Sequence, residues 1–152
     1  MIRYFIVILF LVCLASCKQN EVYYEFETIP QSKWNKSHNI CFSMDSVPGN
    51  VKPNYHLSIE IAHNLNYPYK NLWLSIDYLL QDSVLKQDTL ECILMDAAGK
   101  WLGSGNGPTR QLSVLYKTDF VMDTAQLNQI CIRHAMQDIQ LNGIEKIGLK
   151  VY

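Results

Sequence analysis

Between Tyr55 and Ala62, apolar and polar side chains alternate. Tyr55, Leu57, Ile59 and Ile61 share one parity, and His56, Ser58, Glu60 and Ala62 share the other. A period of two puts each set on its own face of an extended strand. The rule recurs along the chain. Tyr24 and Phe26 alternate with Glu25 and Glu27 within 22–29, and Ile40, Phe42 and Met44 share a face within 39–44. Leu72, Leu74, Ile76 and Tyr78 oppose Trp73, Ser75 and Asp77. Segments 88–95, 112–116 and 128–134 read as strands. So does 146–152, where Ile147, Leu149 and Val151 oppose Lys146, Gly148 and Lys150. Only 124–129 and 135–141 could hold a helical turn.

Few architectures accept such a chain. Turn residues separate the strands at Pro48-Gly49-Asn50, Pro53, Pro68, Gly99 to Pro108 and Asn142-Gly143. Parallel sheets need crossovers of a dozen or more residues, usually helical, and the pattern offers none. The expected fold is all-β: an antiparallel β-sandwich of about eight strands, Ig-like or jelly-roll-like, forming a single domain over 22–152. A closed barrel is the alternative.

The first residues follow another pattern. Arg3 gives a short positive start, and Phe5 to Leu14 form an apolar run. The run is about half the 20 residues needed to span a bilayer core, and it fits the h-region of a signal peptide. It ends Leu14-Ala15-Ser16-Cys17, an aliphatic residue, two small residues and a cysteine, which is the form of a lipobox. The expected organisation is a lipoprotein signal over 1–16, lipidated Cys17 with a short tether over 17–21, then the β-domain. Several acyl chains on one cysteine give stable membrane anchoring. Lys18 follows the cysteine where an inner-membrane retention signal would place Asp, and Lys18-Gln19-Asn20-Glu21 holds a single acid. These residues favour the periplasmic face of the outer membrane.

Charged residues are 18% of the chain and the formal net charge is -1. That balance excludes a nucleic-acid binder held by a basic face. Without Cys13, lost with the signal, and Cys17, the thiols are Cys41, Cys92 and Cys131. An odd number in an oxidising compartment permits one disulfide and leaves at least one thiol free. The commoner role of such cysteines is as small buried hydrophobes, and Cys92 shares a face with Leu90 and Leu94. No CxxC supports a redox or zinc site.

Catalytic chemistry finds little support. His56 and His63 face opposite sides of one strand and cannot share a metal. His63 and His134 read as satisfied structural histidines at strand ends. Asp77 and Asp96 read as solvent-facing or turn residues. No GxSxG elbow is present. No catalytic residue, metal or cofactor is expected, and the chain does not read as an enzyme. The most unusual stretch is Gly99-Lys100-Trp101-Leu102-Gly103-Ser104-Gly105-Asn106-Gly107. It lacks the GxxxxGK[ST] pattern of a phosphate-binding loop. It is either a glycine-permitted loop whose Trp101 packs on the sandwich, or a recognition loop. The candidate binding residues are Trp101, Gly103 and Gly105, with Trp34 and Trp73 as further stacking surfaces.

One ordered set of motifs carries a resemblance. Trp34-Asn35 follows the lipobox, then Asn66-Tyr67-Pro68-Tyr69-x-Asn71-Leu72, then Asp88-Thr89-Leu90-Glu91. Asp96 and Gly99-Lys100-Trp101-Leu102-Gly103-x-Gly105 come next, then His134-Ala135-Met136, Leu141-x-Gly143-Ile144 and Ile147-Gly148-Leu149. The set resembles the GldH family of gliding motility-associated lipoproteins. Gln137 departs from it, standing where a basic residue is expected. The resemblance implies a non-enzymatic envelope lipoprotein of gliding machinery linked to type IX secretion, with protein partners in the envelope. A carbohydrate- or peptidoglycan-binding sandwich using exposed Trp and Tyr is the alternative.

Overall fold

A computed structural model describes residues 21–48, 54–80, 83–123 and 127–152 of the 152-residue chain. The expected signal, lipobox and most of the tether lie outside the described residues. Ten strands are present among those described: β1 (Tyr23–Thr28), β2 (Lys33–Asn35), β3 (Ile40–Ser43), β4 (Tyr55–Asn64), β5 (Asn71–Leu80), β6 (Ser83–Ile93), β7 (Thr109–Phe120), β8 (Gln129–His134), β9 (Gln140–Asn142) and β10 (Ile144–Val151). All pairings are antiparallel. One four-stranded sheet has the order β1-β10-β4-β7, the other β3-β8-β5-β6, and β2 pairs with β9 as a small ribbon. The fold is the expected antiparallel β-sandwich, with more strands than eight.

The period-two pattern explains the core. Leu57, Ile59 and Ile61 of β4 and Ile147, Leu149 and Val151 of β10 turn inward from the first sheet. Leu72, Leu74 and Ile76 of β5 and Ile130 and Ile132 of β8 face them from the second. All eleven side chains are fully buried. Each such side chain contributes roughly 1.5–3 kcal/mol on leaving water.

Three expectations change. First, β4 is buried on both faces. Ser58, Glu60 and Ala62 are nearly as covered as Leu57 and Ile59, because β4 lies between β10 and β7. Tyr24 and Phe26 of β1 lie on this outer face rather than in the core. Phe26 lies over Gly148, where a Cβ would meet its ring at 2.7 Å. The Gln111 amide bridges Glu60 and the Tyr24 hydroxyl, at 3.5 and 3.4 Å. Second, 135–141 holds no helical turn; it runs from β8 into β9. Of 124–129, residues 124–126 lie outside the described set and Gln129 opens β8. Third, two of the three cysteines among the described residues are bonded. Cys41 and Cys131 face each other directly across β3 and β8, Cα atoms 4.0 Å apart, and form a disulfide. Cys92 is the buried free thiol.

Gly143 joins the ends of several elements. Its amide donates to the Ser32 carbonyl at 2.8 Å, and its carbonyl accepts from the Asn64 amide at 2.8 Å. Its φ is +93°, and a Cβ there would stand 2.6 Å from the Tyr67 backbone. Only glycine meets both conditions.

Candidate functional site

The end of the sandwich where β4 finishes and β5 begins gathers aromatic side chains. Tyr67, on the link between these strands, is fully covered and donates its hydroxyl to the Asn71 carbonyl at 2.8 Å. Its ring centroid lies 5.9 Å from His63, 6.4 Å from Trp101 and 5.9 Å from Tyr69. Trp101 sits 4.6 Å from the His63 ring. Such tilted and edge-on pairs add about 0.5–1.5 kcal/mol each beyond their area.

The glycine loop is a structural clasp. Met95 and Trp101 bridge across its turn, and Ser104 exchanges two backbone hydrogen bonds with Gln111 of β7, at 2.9 and 2.7 Å. Gly103 has φ +83°, and a Cβ would lie 2.2 Å from the Gln111 carbonyl oxygen. Its close approach to β7 requires glycine at that position, and Gly105 approaches the Thr109 carbonyl in the same way. The turn at Asp96 is as expected: its carboxylate accepts from the amides of Ala98 and Lys100, both at 2.9 Å.

The three tryptophans do not form a common platform. Trp34 is fully buried, so it offers no stacking face. Its Nε1 donates to the His38 carbonyl at 3.0 Å, and its ring packs edge-on against His134. Trp101 is half-buried against the core. Trp73 alone presents its ring outward, 39% exposed on the outer face of the second sheet.

Further large apolar side chains are exposed on the elements next to Trp73. Ile93 stands diagonal to it on the adjoining strand β6 and is 50% exposed. The turn 135–139 is tied to it: the Ala135 amide donates to the Trp73 carbonyl, and the Trp73 amide donates to Met136 Sδ at 3.4 Å. The Tyr69 hydroxyl donates to Asp138 at 2.6 Å on this turn. The Ile139 carbonyl accepts from the Lys36 amide, and its side chain is 75% exposed, the most exposed large apolar group described. The turn is thus held at both ends while Tyr69, Trp73, Ile93 and Ile139 face water. Clustered exposed apolar groups of this kind mark interaction surfaces.

A second polar cluster joins the sheets at their opposite end. Tyr78 of β5 donates to the Tyr116 hydroxyl of β7 at 2.7 Å, and Tyr116 donates to Asp88 of β6 at 2.6 Å. Lys117 pairs with the same carboxylate at 2.7 Å, and Lys86 lies at 3.7 Å. Burial pushes the Asp88 carboxyl up, but the hydrogen bonds from Lys117 and Tyr116 outweigh it and hold it below the usual range. Burial and the bond to Asp88 keep Tyr116 protonated far above neutrality. With its proton donors committed to one another, the cluster works as a polar clamp between edge strands. Asp77 also departs from expectation: it is nearly buried, accepts from Gln87 at 2.6 Å and faces Arg133 at 3.7 Å.

The two interior histidines are only half satisfied. His63 Nδ1 meets the Asn64 carbonyl at 3.1 Å and His134 Nε2 meets the Trp34 carbonyl at 3.2 Å. The other ring nitrogen of each is buried without a partner. Burial, only partly offset by the backbone bonds, pushes both imidazoles below their usual 6.5. The folded protein therefore binds these protons less readily than the unfolded chain. Their contribution is complete above about pH 6.5 and is lost as pH falls below it. The urea midpoint should drop between about pH 7.5 and about pH 5. A flat or rising profile would contradict the burial of neutral imidazoles.

Among the described residues, no three His, Cys, Asp or Glu gather to hold a metal, and no helix is long and apolar enough to cross a membrane. The model of the GldH lipoprotein family matches residues 21–151. The chain belongs to the GldH lipoprotein family. The expectation drawn from the ordered motifs is thereby met, and the match takes in both the aromatic end and the polar clamp. Among GldH relatives, the chain is 29% identical to the gliding motility lipoprotein GldH homolog of Christiangramia forsetii, over 97% of this chain and 93% of that protein. It is 28% identical to the gliding motility lipoprotein GldH of Flavobacterium johnsoniae, over 96% of this chain and 93% of that protein.

Proposed function

We propose that this chain is a lipid-anchored, non-enzymatic assembly component of the gliding machinery linked to type IX secretion. It is anchored through Cys17 at the periplasmic face of the outer membrane. Its partner is another envelope protein, docked on the patch formed by Tyr69, Trp73, Ile93 and Ile139. The relatives' names support the process. The observation that carries the docking mode is the exposure of four large apolar side chains around a firmly bonded turn. Trp101 supports this surface from behind, through Tyr67, and does not itself form the contact.

The test is in-cell photo-cross-linking from position 139, with the captured species identified by mass spectrometry. An envelope protein should be recovered. The double substitution Trp73→Ser with Ile139→Asp should abolish capture and fail to restore spreading in a gliding cell lacking its own family member. Ile139 is 75% exposed but Trp73 only 39%, so unfolding free energy should fall by about 1–2 kcal/mol, mostly from the covered part of the indole, and the domain should remain folded. Undiminished capture and spreading would remove the patch from the partner site. Recovery of peptidoglycan without protein would favour a glycan-binding module instead.

A further inference from the structure

We propose that the end of the sandwich carrying Val84, Phe120, Val121 and Tyr152 is a membrane-seating surface, resting on the lipid bilayer that holds the anchor. The inference relies on lipidation of Cys17, as proposed above. It adds which part of the protein touches lipid and which part faces away.

Chain length sets the geometry. Glu21, the first described residue, is four positions beyond Cys17. Four extended residues reach about 14 Å. The start of the described chain is fixed in place: Glu21 pairs with Lys150 at 2.7 Å, and the Val22 amide donates to the Val151 carbonyl at 2.9 Å. Those bonds set the departure point of the leash at the end of β10. Tyr23 lies across from Val151, the His56 amide donates to the Tyr152 carbonyl, and Tyr55 pairs with Phe120. The end of β5 joins them, because Tyr78 stacks on Phe120 with centroids 5.9 Å apart. The opposite end, with Tyr69 and Ile139, is a strand length away. For the ten residues of β4 or β5 that is about 30 Å. A 14 Å leash brings only the near end to the bilayer surface.

The chemistry of the near end suits that position. Val121 is 63% exposed and Val84 58% exposed. Tyr78, Phe120, Val121 and Leu127 line a small concavity between the sheets, with Lys86 and Lys117 at its rim. Exposed aliphatic groups beside a ring match the headgroup region, and Lys86, whose side chain is 60% exposed, can stretch toward water, while Lys117 stays on Asp88. Asp123 also lines this concavity and Asp119, near the end of β7, adds a second acid, so the two lysines leave no excess positive charge there. Apolar contact and the leash, rather than attraction to anionic lipid, therefore determine the pose.

The test uses the acylated full chain in phosphatidylethanolamine–phosphatidylglycerol vesicles containing a doxyl-labelled lipid. A bimane probe is placed at Val121→Cys in one variant and at Ile139→Cys in another; buried Cys92 does not compete for the label. Quenching should be several-fold stronger at position 121 than at 139. The pair Val84→Asp and Val121→Asp, with the probe moved to Asp119→Cys, should still float with vesicles but lose most of the quenching that Asp119→Cys alone shows. Equal quenching at 121 and 139, or stronger quenching at 139, overturns the seating. Flotation of Cys17→Ser alongside the acylated chain tests the anchor separately. If Cys17→Ser floats as well as the acylated chain, the anchor reading fails, and the depth comparison still decides the orientation. If neither floats, both readings fall.

Discussion

Replacing Trp34 with alanine should lower the unfolding free energy by about 3–5 kcal/mol, the range for deleting a fully buried large aromatic. Trp34 is the centre of the β2–β9 ribbon, paired with Leu141, and both side chains are completely covered. Truncation empties that volume and removes the indole donor of the His38 carbonyl. It also strips the edge-on ring contact from His134, centroids 5.3 Å apart. Neither loss is repaired locally, because three-residue strands have little freedom to collapse inward. Against a total stability of about 5–15 kcal/mol, the urea midpoint should move down by about 2 M. Trp34→Phe should fall between the two, keeping most of the ring volume and losing the hydrogen bond. A loss below about 1 kcal/mol for the alanine variant would show that the indole is not a core side chain.

Breaking the Cys41–Cys131 bond should have a comparable effect. The two residues are 90 positions apart, and closing a loop of that size in the unfolded chain is worth about 4.6 kcal/mol on the chain-entropy account. The native structure needs the link where it is placed. β3 is a four-residue edge strand paired, among the described residues, with β8 alone, and β4 to β7 all lie within the closed loop. The double variant Cys41→Ser, Cys131→Ser should unfold at a lower guanidinium concentration than the oxidised protein, by a free energy near 4 kcal/mol. Reductant should produce the same shift in the parent and none in the variant. A difference under about 1 kcal/mol would mean that the unfolded chain is already restricted without the bond.

Eight of the strands follow from alternation because each is long enough to show a period. β2 and β9 have three residues each, too few to display any period. They exist because Trp34 and Leu141 meet across more than a hundred residues, a relation no local window contains. The same limit hides Trp34: an isolated tryptophan reads equally well as core or as platform until its partner strand is placed. Tyr24 and Phe26 were legible as a pair of apolar positions on a strand. That Phe26 covers Gly148 from outside follows from β1 being an edge, which is a fact of topology.

The candidate surface was legible in part. Trp73 fell on the polar parity of its strand, and the structure leaves it facing water. Ile139 gave no signal, standing between Asp138 and Gln140 in a segment with no clear period. The polar clamp did leave a trace. Asp88 has the parity of Leu90 and Cys92, an acid in line with an inward apolar face. An inward charge on an edge strand needs a partner and discourages edge-to-edge pairing. Tyr116 and Lys117, which answer it, lie on the facing sheet and could not be assigned from spacing.

The placement of the sulfur atoms separates early folding from late. Cys41 and Cys131 meet in register with Ile40 opposite Ile132, so strand pairing itself selects them. Cys92 lies fully covered on the other side of that sheet, its thiol pushed by burial to about 12. A thiol so placed neither ionises at neutral pH nor reaches an incoming disulfide. Among the three described cysteines, incorrect bridges can therefore arise only during the interval before the two sheets close. An oxidant that meets the folded domain after that moment finds, among the described residues, a single pair left to join.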